Sequence, residues 1–168
     1  LTDFVPSAGL RWMVVGRPRE LASAPSLGPA LALLLPKERL DAYAQASGMD
    51  VRALPSGLIA GFDHATLYVA EERSDGLKAL ERFSERLVAG TKVASPHPKL
   101  HRLSGVIGQT PETLVRIDGR LIAISVGSSL PARITQLYAL EKQTKSPAVL
   151  HGSALRTLPI REQESAPK

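Results

Sequence analysis

Asp63 and His64 are the residues of this sequence whose types and spacing best fit an acid–base pair. They are adjacent and precede the apolar run Ala65–Ala70, where an imidazole could transfer a proton if a nucleophile lay within reach. Ser128 could supply that nucleophile, although nothing in the sequence places it beside them. Asp63 equally suits a turn after Gly61, because aspartate tolerates turn geometry and bonds its own backbone. We therefore predict no catalytic residue and keep a hydrolase as an alternative.

Two histidines, His97 and His101, lie four residues apart. On a helix this spacing would direct both imidazoles at one metal ion, but Pro98 and the strand pattern after it favour an extended chain. Extended residues four apart are separated by about 13 Å at roughly 3.3 Å per residue. The sequence contains no cysteine, so thiolate ligands and cysteine nucleophiles are absent as well. We expect neither a metal nor a cofactor.

Two serine-containing stretches resemble catalytic or phosphate-binding motifs only in outline. Ala123–Gly127 has the spacing of a degenerate nucleophile elbow, but Ser125 falls inside a predicted strand and not at a sharp strand-to-helix turn. Gly127–Pro131 predicts a strand end followed by a helix N-terminus, a place where an anion can bind. Ser128 or Ser129 is better explained as the cap of that helix.

Positive charge bears on the choice of partner. The chain has 21 Lys and Arg against 16 Asp and Glu, a formal net charge of +5, without a run of five or six like charges. Contact with anionic lipid or polymer is compatible with this balance. Nucleic-acid binding is only a second alternative, because base stacking needs exposed aromatic residues. The larger aromatic residues here fit core positions: Trp12, Phe62, Tyr68, Phe83 and Tyr138.

Basic side chains in or beside predicted loops are the candidate contacts for a partner protein. Six residues share this property: Arg17, Arg19, His97, Lys99, His101 and Arg102.

The elements that position these residues follow the order β-α-α-β-α-β-β-β-α-α. Strands are predicted at Leu10–Val15, Ala65–Ala70, Lys99–Ile107, Thr113–Ile117 and Arg120–Val126. Helical segments are predicted at Leu27–Leu35, Pro36–Ser47, Val51–Leu54, Asp75–Ala89, from Pro131 onward, and Pro147–Leu155. Asp118-Gly119 predicts a type I′ hairpin between the last two strands.

This order predicts an α+β fold with a five-stranded, mainly antiparallel sheet and helices packed on one face. We expect a single domain over residues 10–158, preceded by a flexible lead over 1–9 and followed by a polar tail over 159–168. The longest apolar run, residues 27–35, is far shorter than the roughly 20 residues that span a bilayer. No transmembrane segment is predicted.

Three patterned stretches occur in the first seventy residues. An apolar strand leads into Gly16-Arg17-Pro18, then Gly48-Met49-Asp50-Val51 precedes Leu54, and Gly61-Phe62-Asp63 leads into a second apolar strand. Over about residues 6–70 this arrangement resembles uncharacterised bacterial envelope proteins, often lipoproteins. The resemblance implies export and an envelope location, and it transfers no functional residue. Leu1 is not a lipidated cysteine, so we expect any lipid anchor to precede it.

These observations predict a non-enzymatic binding or structural component of the bacterial cell envelope. We expect it to be periplasmic or associated with the outer membrane, with a cytoplasmic location left open. Its expected partner is another envelope protein or complex, contacted through an exposed sheet edge or face. The alternatives are a small-ligand-binding protein or hydrolase that uses Asp63, His64 and Ser128, and a basic nucleic-acid-binding domain.

Overall fold

A computed structural model describes residues 1–71, 76–93, 99–117 and 120–143. Its strands are β1 (Leu10–Gly16), β2 (Gly57–Phe62), β3 (Thr66–Glu71), β4 (Ala89–Val93), β5 (Leu100–Ile107), β6 (Thr110–Ile117) and β7 (Leu121–Val126). They form one antiparallel sheet in the order β1-β2-β3-β7-β6-β5-β4. The predicted α+β class is confirmed, and the five predicted strands are present within three residues of their expected bounds. The strand number was wrong, since the sheet has seven strands.

The two missed strands are β2 and β4. In β2, Gly57 and Gly61 interrupt the pattern and suggest turns, but β1 and β3 flank this segment and supply pairing on both sides. The sequence pattern predicts a helix up to Ala89 and no strand between Ala89 and Lys99. Residues 89–93 instead pair with β5. In both strands, tertiary pairing overrides a weak local β propensity.

The helices are α1 (Pro18–Ser23), α2 (Gly28–Leu34), α3 (Lys37–Ser47), α4 (Gly76–Arg86) and α5 (Leu130–Gln143). Short 3-10 turns cover Thr2–Phe4 and Val51–Ala53. Gly48 ends α3 with φ 73°, the left-handed conformation in which glycine commonly ends a helix. Asp50 caps the second turn, because its carboxylate accepts a hydrogen bond from the Arg52 amide at 2.9 Å. Within the described ranges, no helix has both the length and the apolar character needed to cross a bilayer.

Helices pack on both faces of the sheet, so the predicted one-sided arrangement was wrong. We call the side under α5 the closed face, and its buried residues include Leu58, Leu67, Val69, Leu121 and Ala123. The opposite side, which we call the open face, is covered over β5, β6 and β7 by Ala79 and Phe83 of α4.

The first residues belong to the core of the closed face rather than to a loose lead. Phe4 and Val5 are buried against this cluster. The buried Thr135 hydroxyl of α5 donates a hydrogen bond to the Phe4 carbonyl at 2.8 Å. This bond satisfies two buried polar groups and fixes the N-terminal turn onto α5.

Some predictions fall outside the described residues. These are the Asp118-Gly119 turn, the helix at Pro147–Leu155, the tail over 159–168, and His97. β6 and β7 on either side of the turn are antiparallel and in register, with Ile117 opposite Leu121.

Trp12 fixes how β1 lies on the sheet. Its indole ring packs over Gly61 of β2, in the space that a Cβ atom at position 61 would occupy. A register irregularity between Leu10 and Trp12 precedes this contact, and Trp12 to Gly16 then pair regularly with β2. Glycine is thus required at position 61 by the ring above it.

We expect Gly61→Ala to lower the free energy of unfolding by about 1–3 kcal/mol, because the new methyl group forces the indole off its site. Gly16→Ala is the matched control, since its Cβ would meet nothing within 4 Å. Chemical denaturation monitored by the fluorescence of the single tryptophan measures both variants. Equal unfolding midpoints for the two variants would contradict the packing argument.

Candidate functional site

The open face carries a row of apolar residues that crosses five strands. Val14, Ile59, Tyr68, Ile124 and Leu114 are successive cross-strand neighbours on β1, β2, β3, β7 and β6. The row is fully buried at Leu114, beneath α4, but Val14 is 60% exposed and Tyr68 is 43% exposed. One continuous apolar surface is therefore covered at one end and open at the other.

α4 packs mainly over β5 and β6, whereas the open-face side chains of β1, β2 and β3 at Val14, Ile59 and Tyr68 remain partly exposed. Its neighbour α3 packs beside α4, and the Gly48 backbone lies directly against the Lys78 carbonyl. A side chain at position 48 would separate the two helices. α3 consequently borders the uncovered half of the open face without lying across it.

A groove of about 400 Å³ occupies the space between α3, α4 and the uncovered strands. Tyr43 and Met49 line its helical side, and Ile59 and Tyr68 form part of its floor. Arg86 and Glu112 are the charged residues on its wall. Its apolar lining and its size are those of a surface that takes an apolar side chain or a short apolar segment.

An ionic cluster around Arg52 holds α3 beside this groove. The Arg52 guanidinium donates to Asp41 of α3 at 2.7 Å and to Asp50 at 2.8 Å. Lys37 donates to the other oxygen of Asp41 at 2.6 Å. The hydrogen bonds from Lys37 and Arg52 lower the pKa of Asp41 below its ordinary value. Asp50 and Arg52 are two residues apart, so their contact is local in sequence. The contact of Arg52 with Asp41, eleven residues away, depends on tertiary structure.

Glu112 is a carboxylate in a largely apolar wall. Burial raises its pKa above the ordinary glutamate value, and the nearby Arg86 guanidinium partly offsets that rise. The ionised form is therefore disfavoured in the folded groove relative to water.

A second apolar cavity of about 310 Å³ lies between α1, α2 and α3. Leu21, Leu31 and Leu40 contribute to its lining. On the outside of the same helices, Leu33 is 85% exposed and Leu34 is 74% exposed. The three helices thus bury little of their apolar surface in the described structure.

The predicted basic contacts do not form one patch. Arg17 and Arg19 flank Pro18, which lines both the groove and the second cavity. Lys99, His101 and Arg102 lie at the start of β5, five strands away from β1 in the sheet order. At about 4.8 Å per strand this is roughly 24 Å. Arg102 also donates to Gln136 of α5 at 3.4 Å, on the closed side.

Asp63, His64 and Ser128 do come together, around a cavity of about 200 Å³ beside the N-terminus of α5. The side-chain hydrogen bonds of Asp63 and Ser128 go to other groups and do not link the three residues into a proton relay. Asp63 accepts from Arg11 at 2.5 Å, and Ser128 accepts from the Leu130 amide at 3.3 Å. Of the two serines predicted to cap α5, it is thus Ser128 whose hydroxyl accepts from the first amide of the helix. The described residues contain no group of three histidine or acidic side chains that could hold a metal.

Two of the aromatic residues expected in the core are exposed. Trp12 and Tyr68 both lie on the open face, and Tyr43 of α3 is exposed beside them. The expectation was wrong because a strand pattern shows which residues share a face but not whether that face is covered. Ser125, in contrast, is buried within β7 as predicted.

Comparisons with known proteins assign no family. No protein-family model matches this chain, and no curated protein matches it. The crystal structure of a GTP binding regulator from Thermotoga maritima is similar to part of the chain, with a TM-score of 0.37 and 11% sequence identity. The match covers 51% of this chain and 64% of that one, less than two thirds of its length. A TM-score this low supports no conclusion about function.

We expect Glu112→Gln to stabilise the fold at neutral pH and to have little effect in acid. A raised carboxyl pKa means that the folded state binds the proton more tightly, so stability falls as pH rises from the ordinary glutamate range through the raised value. Unfolding midpoints measured from acidic to neutral pH test this. Glu81→Gln, on an exposed residue of α4, is the control. A wild-type protein that gains stability relative to Glu112→Gln as pH rises would contradict the assignment.

Proposed function

We propose that this protein is a non-enzymatic binding domain that holds an apolar segment of a partner protein in the groove of its open face. The observation that carries the proposal is the row from Val14 to Leu114, which is buried under α4 at one end and exposed at the other. Covering the exposed end would extend the packing that α4 already provides. Apolar area removed from water there contributes about 25 cal/mol per Å².

The charges beside the groove favour a partner segment with acidic residues next to its apolar ones. Arg86 lies on the groove wall, and Arg17 and Arg19 flank the lining residue Pro18. The net charge of +5 acts in the same direction at longer range. Opposite charge at the rim favours encounter and orientation, whereas the apolar floor supplies affinity.

The envelope location is a further part of this proposal. It rests on the resemblance of residues 6–70 to bacterial envelope proteins. We propose a periplasmic or outer-membrane-associated domain whose partner is another envelope protein or complex. An acidic polymer or anionic lipid surface would meet the same cations but would leave the groove floor unfilled.

A photo-crosslinking amino acid at Tyr68 tests the proposed surface. An aromatic crosslinker fits this half-exposed position, and we expect it to capture one defined protein in the envelope fraction of the source cells. The same crosslinker at Val88, which is 77% exposed and outside the groove lining, is the control. Identical products from both positions, or no product from Tyr68, would refute binding through this groove.

A second candidate function is a small-ligand site or hydrolase at the cavity of Asp63, His64 and Ser128, favoured by their convergence. The binding proposal predicts that His64→Ala leaves the Tyr68 crosslink unchanged. Hydrolysis of a small aryl ester lost in both His64→Ala and Ser128→Ala, but retained in His101→Ala, would instead establish the hydrolase. The measurement is the initial rate of ester cleavage with each purified variant.

The exposed aromatic residues also provide a test of the nucleic-acid alternative. Trp12 and Tyr68 are separated on the open face by aliphatic Val14 and Ile59, a surface better suited to an apolar segment than to a phosphate backbone. An affinity for labelled single-stranded RNA that falls steeply with salt would favour nucleic acid over the proposed partner.

A further inference from the structure

β1 is an edge strand with an unusually apolar sequence. In the described sheet it pairs with β2 on one side and with no strand on the other. Between Trp12 and Gly16 it contains no proline and no charged residue. Natural edge strands are commonly protected by such residues or by bulges. The irregularity of β1 precedes Trp12, so the regular stretch from Trp12 to Gly16 remains available for pairing.

We propose that this stretch pairs antiparallel with the same stretch of a second copy, about a two-fold axis at Val14. The register places Val14 opposite Val14 of the second copy, Met13 opposite Val15, and Trp12 opposite Gly16. Directly opposed residues share a face of an antiparallel sheet, and this register satisfies that condition at every pair. Trp12, Val14 and Gly16 lie on the open face, and Met13 and Val15 on the closed face.

The side chains fit this register. Gly16 has no side chain and lies in open space, so Trp12 of the second copy, whose ring packs over its own Gly61, meets no side chain opposite it. Moving the axis to Met13 or Val15 pairs three residues of the regular stretch instead of five. The chosen register is therefore the one that uses the whole regular stretch.

The charges at the ends of the stretch are compatible with it. The register brings Arg11 of one copy near Arg17 of the other. Each already has a partner, because Arg11 binds Asp63 at 2.5 Å and Arg17 binds Glu20 at 3.2 Å. These pairs reduce the repulsion between the arginines at the two ends of the new ladder.

Pairing of this kind joins two seven-stranded sheets into one, with the open faces on the same side. The two exposed rows that begin at Val14 then become continuous across the axis. The dimer does not require the partner segment proposed above, and it goes beyond that proposal by assigning the edge of the sheet to a second copy of the chain.

A single cysteine tests the register directly, since the natural sequence contains none. Opposed Cα atoms in an antiparallel pair are about 4.5–5.5 Å apart, within the roughly 4.4–6.8 Å that a disulfide spans. We expect Val14→Cys to form a disulfide-linked dimer under mild oxidation. Val88→Cys, which is more exposed to oxidant than Val14 (77% against 60%), and Met13→Cys, which faces Val15 of the second copy, should form it much more slowly. Equal rates for Val14→Cys and Val88→Cys would overturn the proposal.

Sedimentation of the uncrosslinked protein is the second measurement. We expect a concentration-dependent dimer for the wild type and for Val88→Lys, and a monomer for Val14→Lys, whose charge lies on the axis. Tyr68→Lys should remain a dimer, because Tyr68 is two strands from the edge. A monomeric wild type, or a dimer abolished by Tyr68→Lys and not by Val14→Lys, would overturn the proposal. Failure here leaves the Tyr68 crosslink unaffected, so the two proposals are tested separately.

Discussion

The pairing of β3 with β7 is the interaction on which the rest of the structure depends. It joins Thr66–Glu71 to Leu121–Val126, segments about fifty residues apart in the chain, along an unbroken antiparallel register. Without this ladder, the three N-terminal strands β1 to β3 and the four-stranded meander β4 to β7 would form two separate, smaller sheets. Leu67, Val69 and Leu121 become fully buried at the junction. The two faces of the sheet are continuous across the molecule because of this pairing.

The two faces then differ because the helices reach different parts of the sheet. α5 follows β7 and packs back over β6 and β7, where Ala132 and Ala139 belong to the buried cluster of the closed face. α4 connects β3 to β4 and packs over β5 and β6 on the open face. α1, α2 and α3 lie beside the sheet, anchored partly by the Arg52 cluster. The groove is the region that neither α3 nor α4 covers.

The candidate site could be predicted only in part from the sequence. A cap of α5 by Ser128 or Ser129 was predicted from local sequence, and Ser128 supplies it. The Asp50 cap is likewise a contact between residues close in sequence. Asp63, His64 and Ser128 were named as a possible set, yet their shared cavity depends on the β3–β7 pairing. The groove was missed because Tyr43, Ile59 and Tyr68 come from three elements whose contact no local pattern encodes.

The sequence by itself determined the class of fold, most element positions and the alternation of faces, since these follow from local propensity and a period of two residues in strands. It did not determine β2 and β4, whose glycines give weak propensity and whose pairing is supplied by neighbours. Only the tertiary structure decided which face stays open. Alternation identifies the side of the sheet on which Trp12 and Tyr68 lie, but their exposure depends on where α4 ends, and that is set by packing between distant segments.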